Sequence, residues 1–230
     1  MVVRRLAAAA AAALLLLAAG CGDDDGEAVP PADPLPSEEE LPTHGGGAQP
    51  EAGGIAVPEI PGTTPAPFPS LGFGLAVPDG WNATRLLEGD LDRLADAELA
   101  QPFFVDAAEA VAATGAVFYA AGVDDQGRVA EIKVDLQEGI DAAAARATAE
   151  AALAEAGASD LSVVAAEDGR VRLDFRLQQP SADDGEPIDA HVSQLLVPDD
   201  GRVWSVVVTS EDPATQSAVL AIVDRGFVVA

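Results

Sequence analysis

In 230 residues this chain has one cysteine, one methionine, one lysine and two histidines. A single thiol rules out an internal disulfide. One cysteine and two histidines cannot complete a four-ligand Cys/His zinc site. Basic residues are scarce as well, with 12 Lys and Arg against 39 Asp and Glu. Binding to a phosphate backbone is driven by cationic side chains, and here that term is repulsive, which excludes nucleic acid as a partner. The same repulsion argues against a domain lying flat on anionic lipid. Catalytic signatures are missing too: the sequence has no Gly-x-Ser-x-Gly elbow, no phosphate loop and no His-Glu-x-x-His. The longest apolar run, Leu6 to Ala19, would reach about 21 Å as a helix, short of the roughly 30 Å of hydrocarbon in a bilayer.

That short run has another use. Arg4 and Arg5 precede it, and it ends in Ala18 and Ala19, with Gly20 directly before the only cysteine, Cys21. A positive start, a short apolar stretch and small residues before a cut are the parts of an export signal. With the cysteine just past the cut, the segment resembles the lipobox of bacterial lipoproteins. Leu17 stands one position further back than the usual leucine, and Ala18 takes its place. The resemblance implies cleavage after Gly20 and a diacylglyceryl group on the Cys21 sulfur. Two acyl chains, at about 0.8 kcal/mol per buried CH₂, hold far better than one. Residues 1–20 are therefore expected to be a lipoprotein signal peptide. The membrane is expected as a partner through Cys21, with the rest of the chain outside the cytoplasmic membrane. All 39 acidic residues lie beyond Cys21, so the processed chain would carry a formal charge of about −29. Such a charge suits solubility or a salty medium, and it leaves basic proteins, cations and cell-wall amines as partners.

From Cys21 to residue 67 the chain is proline, glycine and acid, with few large apolar side chains. It reads as a disordered stalk, because it buries too little surface to offset its ordering entropy. His44, beside three glycines, reads as part of that stalk. Residues 68–230 suit one domain. Gly72 to Val77 is a short strand and Ala116 to Ala121 another. Pro102 opens a helix with Phe104, Ala107, Ala108 and Val111 on one face. Three turns ending in Gly-Arg, at Gly127-Arg128, Gly169-Arg170 and Gly201-Arg202, are flanked by strand-like sequence and predict antiparallel hairpins. Ala130, Ile132, Val134 and Leu136 alternate with Glu131, Lys133 and Asp135, which predicts a strand with one face in solvent. Val203 to Val208 is nearly all apolar and is expected in the middle of the sheet. Asp141 and Asp212 are placed to cap two further helices. The expected fold class is α/β: an α/β/α sandwich with one mainly antiparallel sheet flanked by helices on both faces.

The order of parts is itself familiar. "GFGLAVPDGW", a helix ending in "AEAGA", the "EDGRVRLDFRL" hairpin, "QLLVPDDGRVWSVVVT" and a terminal "GFVV" together resemble the PsbP/Mog1-like domain, most of all that of LpqN-type actinobacterial lipoproteins. The resemblance spans residues 68–230. It implies an adaptor rather than an enzyme, with no shared catalytic residues to place on this chain. The expected function is a lipid-anchored envelope protein whose domain binds an envelope protein or cell-wall component without catalysis. The alternative is a carrier of lipid or another apolar ligand. No cofactor and no metal is expected. Glu88, Asp90 and Asp92 lack the glycine and final glutamate of a calcium loop, while Asp183 to Glu186 and Asp199 to Gly201 read as turns. A hydrolase would have to use His191, with Ser193 on the same strand face. Trp81 and Trp204 are expected in packing.

Overall fold

The computed structural model describes residues 54–87, 90–91, 102–124, 126–179 and 187–230. Cys21 and Gly20, the expected lipidation and cleavage sites, lie outside the described residues. So do the signal peptide, most of the expected stalk and the acidic turn at 183–186.

Seven strands form the main sheet, all paired antiparallel. They are β3 (Asn82–Arg85), β4 (Phe118–Val123), β5 (Val129–Glu138), β6 (Ser159–Ala165), β7 (Val171–Gln179), β8 (Ile188–Asp199) and β9 (Arg202–Ser210). Their order across the sheet is β3-β4-β5-β9-β8-β7-β6. The three Gly-Arg turns join β4 to β5, β6 to β7 and β8 to β9, as the sequence predicts. In the last of them Asp200 and Gly201 have φ of 41° and 83°. Both central residues left-handed is the type I′ condition, and Asp-Gly meets it at little cost. β9, which holds the apolar run Val203 to Val208, lies between β5 and β8, as expected.

A second sheet contradicts the expected architecture. β1 (Thr63–Phe68), β2 (Phe73–Pro78) and β10 (Val228–Val229) form an antiparallel three-stranded sheet in the order β1-β2-β10. Helices are few and short: α1 (Pro102–Ala112), α2 (Ala142–Glu155) and α3 (Pro213–Gly226) among the described residues. Among the described residues the fold is thus mostly β, two antiparallel sheets with three helices, and not one sheet flanked by helices on both faces. One face of the main sheet packs on α1 and α2 through Phe104, Val111, Ala149 and Leu153. The other is covered jointly by the small sheet and α3, through Phe73, Leu75, Val219, Val223 and Phe227 around Trp204. The ring of Phe73 lies 4.9 Å from Trp204 and 5.6 Å from Phe227, the contact that joins the two sheets.

The expected boundary at residue 68 also moves. β1 belongs to the fold, and ahead of it Ile55 and Val57 pack over Gly74 while Ile60 reaches Gly226. Pro65 and Pro67 made this segment read as linker. In an edge strand, however, a proline costs no ladder hydrogen bond if its missing donor faces outward. The helix caps are as expected: Asp141 accepts from the Ala144 amide and Asp212 from the Thr215 amide, each at 2.8 Å.

Candidate functional site

β7 has two different faces. Val171, Leu173, Phe175 and Leu177 are buried under α2. Arg172, Asp174 and Arg176 point the other way, opposite Leu195, Ser193 and His191 of β8. Among the described residues α3 is the element that flanks this end. What remains is a cleft of about 500 Å³ between α3 and strands β6 to β8. Arg172 and Asp224 also line a second recess beside Val164, Asp168 and Arg170, so the groove continues along the edge of the sheet.

Ser193 lies at the bottom, 1% exposed. Its hydroxyl donates a hydrogen bond to Asp174 Oδ1 and accepts one from Gln216 Nε2 at 2.5 Å. The other Asp174 oxygen accepts from Arg172 Nε at 3.0 Å. Arg176 pairs with Asp160 at 3.2 Å and Arg170 with Asp168 at 3.0 Å. His191 lines the same cleft but has no hydrogen-bond partner among the described residues. A nucleophilic serine needs a base on its proton. Here the hydroxyl donates to the Asp174 carboxylate and accepts from the Gln216 amide, and the imidazole takes no part. Sequence reasoning brought His191 and Ser193 to one strand face, and the structure agrees. What it adds is the Asp174 and Gln216 clamp, which joins residues 174, 193 and 216 by tertiary contact alone.

A second polar group was missed altogether. Glu131 and Lys133 do not face solvent; they lie 6% and 2% exposed under the α1/α2 layer. Tyr119 donates to Glu131 Oε1 at 2.8 Å, and Lys133 Nζ reaches Asp135 at 3.1 Å and Thr114 at 3.3 Å. Glu131 Oε2 has no hydrogen-bond partner among the described residues. Burial pushes the Glu131 carboxyl up to about 7 despite the Tyr119 hydrogen bond, which acts the other way. Burial also raises Asp135, against the pull of Lys133, and raises Tyr119. The available signal was the apolar stripe of α1, which needs a sheet face to cover.

Other expected positions are structural. Trp204 is fully buried, and Trp81 is half-buried, its ring lying where a Cβ on Gly122 would stand. Asp199 accepts from Arg202 and Trp204 within its hairpin. Asp90 pairs with Arg85 at 3.1 Å. Among the described residues no three His, Cys, Asp or Glu side chains gather to hold a metal ion, and no helix is long and apolar enough to cross a membrane.

No protein-family model matches the chain, and no curated protein matches it. Among solved structures it is similar to the solution structure of cyanobacterial PsbP (CyanoP) from Synechocystis sp. PCC 6803. That likeness has 12% identity and a TM-score of 0.42, over 78% of this chain and 99% of that one.

Proposed function

We propose that this is a non-catalytic binding protein of the bacterial envelope, of the LpqN-like lipoprotein kind, held at the outer face of the cytoplasmic membrane by lipid on Cys21. Its binding face is the cleft between α3 and β6 to β8, and its partner is an envelope protein or cell-wall component. The supporting observation is the state of Ser193, buried and engaged on both sides by Asp174 and Gln216 at the floor of an open, charged cleft. Such a serine organises a surface and does not attack a substrate. Exposed ion pairs such as Arg176–Asp160 contribute only about 0–1 kcal/mol each, so an incoming charged group can exchange with them at little cost. The carrier alternative is less favoured, because charged and polar side chains line this cleft.

Intact-mass analysis of the membrane fraction, before and after treatment with a fluorophosphonate, tests both halves. The expected result is a chain beginning at Cys21 with diacylglycerol and no adduct on Ser193. An unmodified mass removes the anchor, and a Ser193 adduct removes the non-catalytic reading.

A further inference from the structure

β6 closes one side of the main sheet, and among the described residues no element lies beyond it. Natural edge strands are usually blunted by charge, proline, a bulge or extreme shortness. β6 has such protection only at its start, where the register shifts between Ser159 and Ser162 and Asp160 takes a φ of 56°. From Ser162 to Ala165 it pairs regularly with β7 and is uncharged and free of proline. Leu161 and Val164, 43% and 46% exposed, are two of the three large apolar side chains in solvent among the described residues. Val164 also lines the groove beside Arg170 and Arg172.

The charges around this edge favour one kind of occupant. Three arginines along the edge already have a carboxylate: Arg170 holds Asp168, Arg172 holds Asp174 and Arg176 holds Asp160, while Arg225 of α3 donates to the Ala221 carbonyl and balances only one of the carboxylates left over. Asp224 in the groove, Glu155 in the helix leading into β6 and Glu167 in the turn leaving it have no ion pair among the described residues. The uncompensated charge is therefore negative. A second copy, also near −27, is repelled.

Resting on the binding role proposed above, we infer that β6 accepts an extended basic segment of a partner protein as an eighth strand. Residues Ser162 to Ala165 match about four residues of partner, or roughly 13 Å. Main-chain hydrogen bonds along the edge supply affinity, and alternate side chains supply selectivity. One row of the segment's side chains crosses Val164 towards the groove and Asp224, where lysine or arginine is favoured.

The probes are three capped, fluorescein-labelled heptapeptides, read by anisotropy on the full chain. One alternates valine and lysine, one alternates valine and glutamate, and the third is the lysine peptide N-methylated at alternate residues. The lysine peptide is expected to bind about tenfold more tightly than either of the others, the loss of one or two good hydrogen bonds or ion contacts. Val164→Lys should weaken it about tenfold, while Val123→Lys, at an exposed site elsewhere, should leave it unchanged. Binding that ignores N-methylation, or no binding of the lysine peptide at all, overturns the inference. Binding lost in Ala221→Trp, which fills the cleft, but kept in Val164→Lys overturns the strand addition and leaves the cleft reading standing. A dimer in sedimentation that Val164→Lys abolishes overturns it in favour of self-pairing.

Discussion

Glu131 is a carboxyl without a full set of partners in an apolar layer, and its proton is more tightly held folded than unfolded. A carboxyl raised from 4.5 to about 7 contributes stability that is fully present below pH 4.5 and lost as pH rises through 7. The difference is of order 3 kcal/mol. Glu131→Gln keeps the shape and removes the titration. Urea unfolding at pH 5 and pH 8 should show the wild type losing stability over that interval relative to the variant, with the variant the more stable at pH 8. Parallel curves would mean that the carboxyl is hydrated or paired in solution. Asp124 shows the opposite behaviour. Backbone and side-chain hydrogen bonds from Arg128, together with those from Thr215 and the Gln126 amide, hold it well below the usual carboxylate range. Arg128 also reaches Asp212 at 2.9 Å, tying the β4–β5 turn to the start of α3. Arg128→Ala should lower the melting temperature near neutral pH. The deficit should shrink as pH falls, once Asp124 and Asp212 are protonated in both variant and wild type, as a melting series from pH 7 to pH 2 would record.

At the level of elements, hairpins and capped helices were legible because each is written locally. Asp200-Gly201 specifies its turn, Asp141 and Asp212 specify their helix starts, and Val203 to Val208 announces a strand covered on both sides. The second sheet was not legible, because β1 carries two prolines and β10 has only two residues, so neither has the length or composition of a strand. Glu131 was misplaced for a related reason. Alternation marks two faces but does not say that a helix layer covers the polar one. The cleft was half visible: His191 and Ser193 share a face by period alone, whereas Gln216 arrives through packing. Removing residues 1–53 should leave the melting transition of the fold unchanged. Removing residues 1–68 strips β1 with half-buried Ile55, Val57, Ile60 and Phe68, and should cost about 2–4 kcal/mol at roughly 1 kcal/mol for each side chain. Gly226→Ala tests the seat of α3 on the small sheet. A Cβ there would stand 2.5 Å from that of Ala76 and 3.2 Å from its backbone nitrogen. The helix end must shift, at a cost of about 1–3 kcal/mol readable in a denaturant midpoint.

Over the whole molecule, acid outnumbers base by 39 to 12, and among the described residues every cation except Arg225 is already in an ion pair. Salt therefore acts on two opposed quantities. Screening weakens the exposed pairs, each worth about 0–1 kcal/mol, but it also relieves the repulsion among the many carboxylates left over. With a formal charge of −27 the second effect is the larger. Raising ionic strength from 0.01 to 0.15 M shortens the Debye length from about 30 Å to about 8 Å, and thermal stability should rise across that range. The attraction for a basic segment at β6 comes from the same field, so its affinity should fall over the same salt series, mostly through a slower association rate. Acidity that served only solubility or a salty medium would give the first trend without the second. Melting curves and association rates of the alternating valine–lysine peptide, taken in the same buffers, separate the two roles. Opposite slopes assign the charge to recognition, and a salt-independent association rate assigns it to solubility alone.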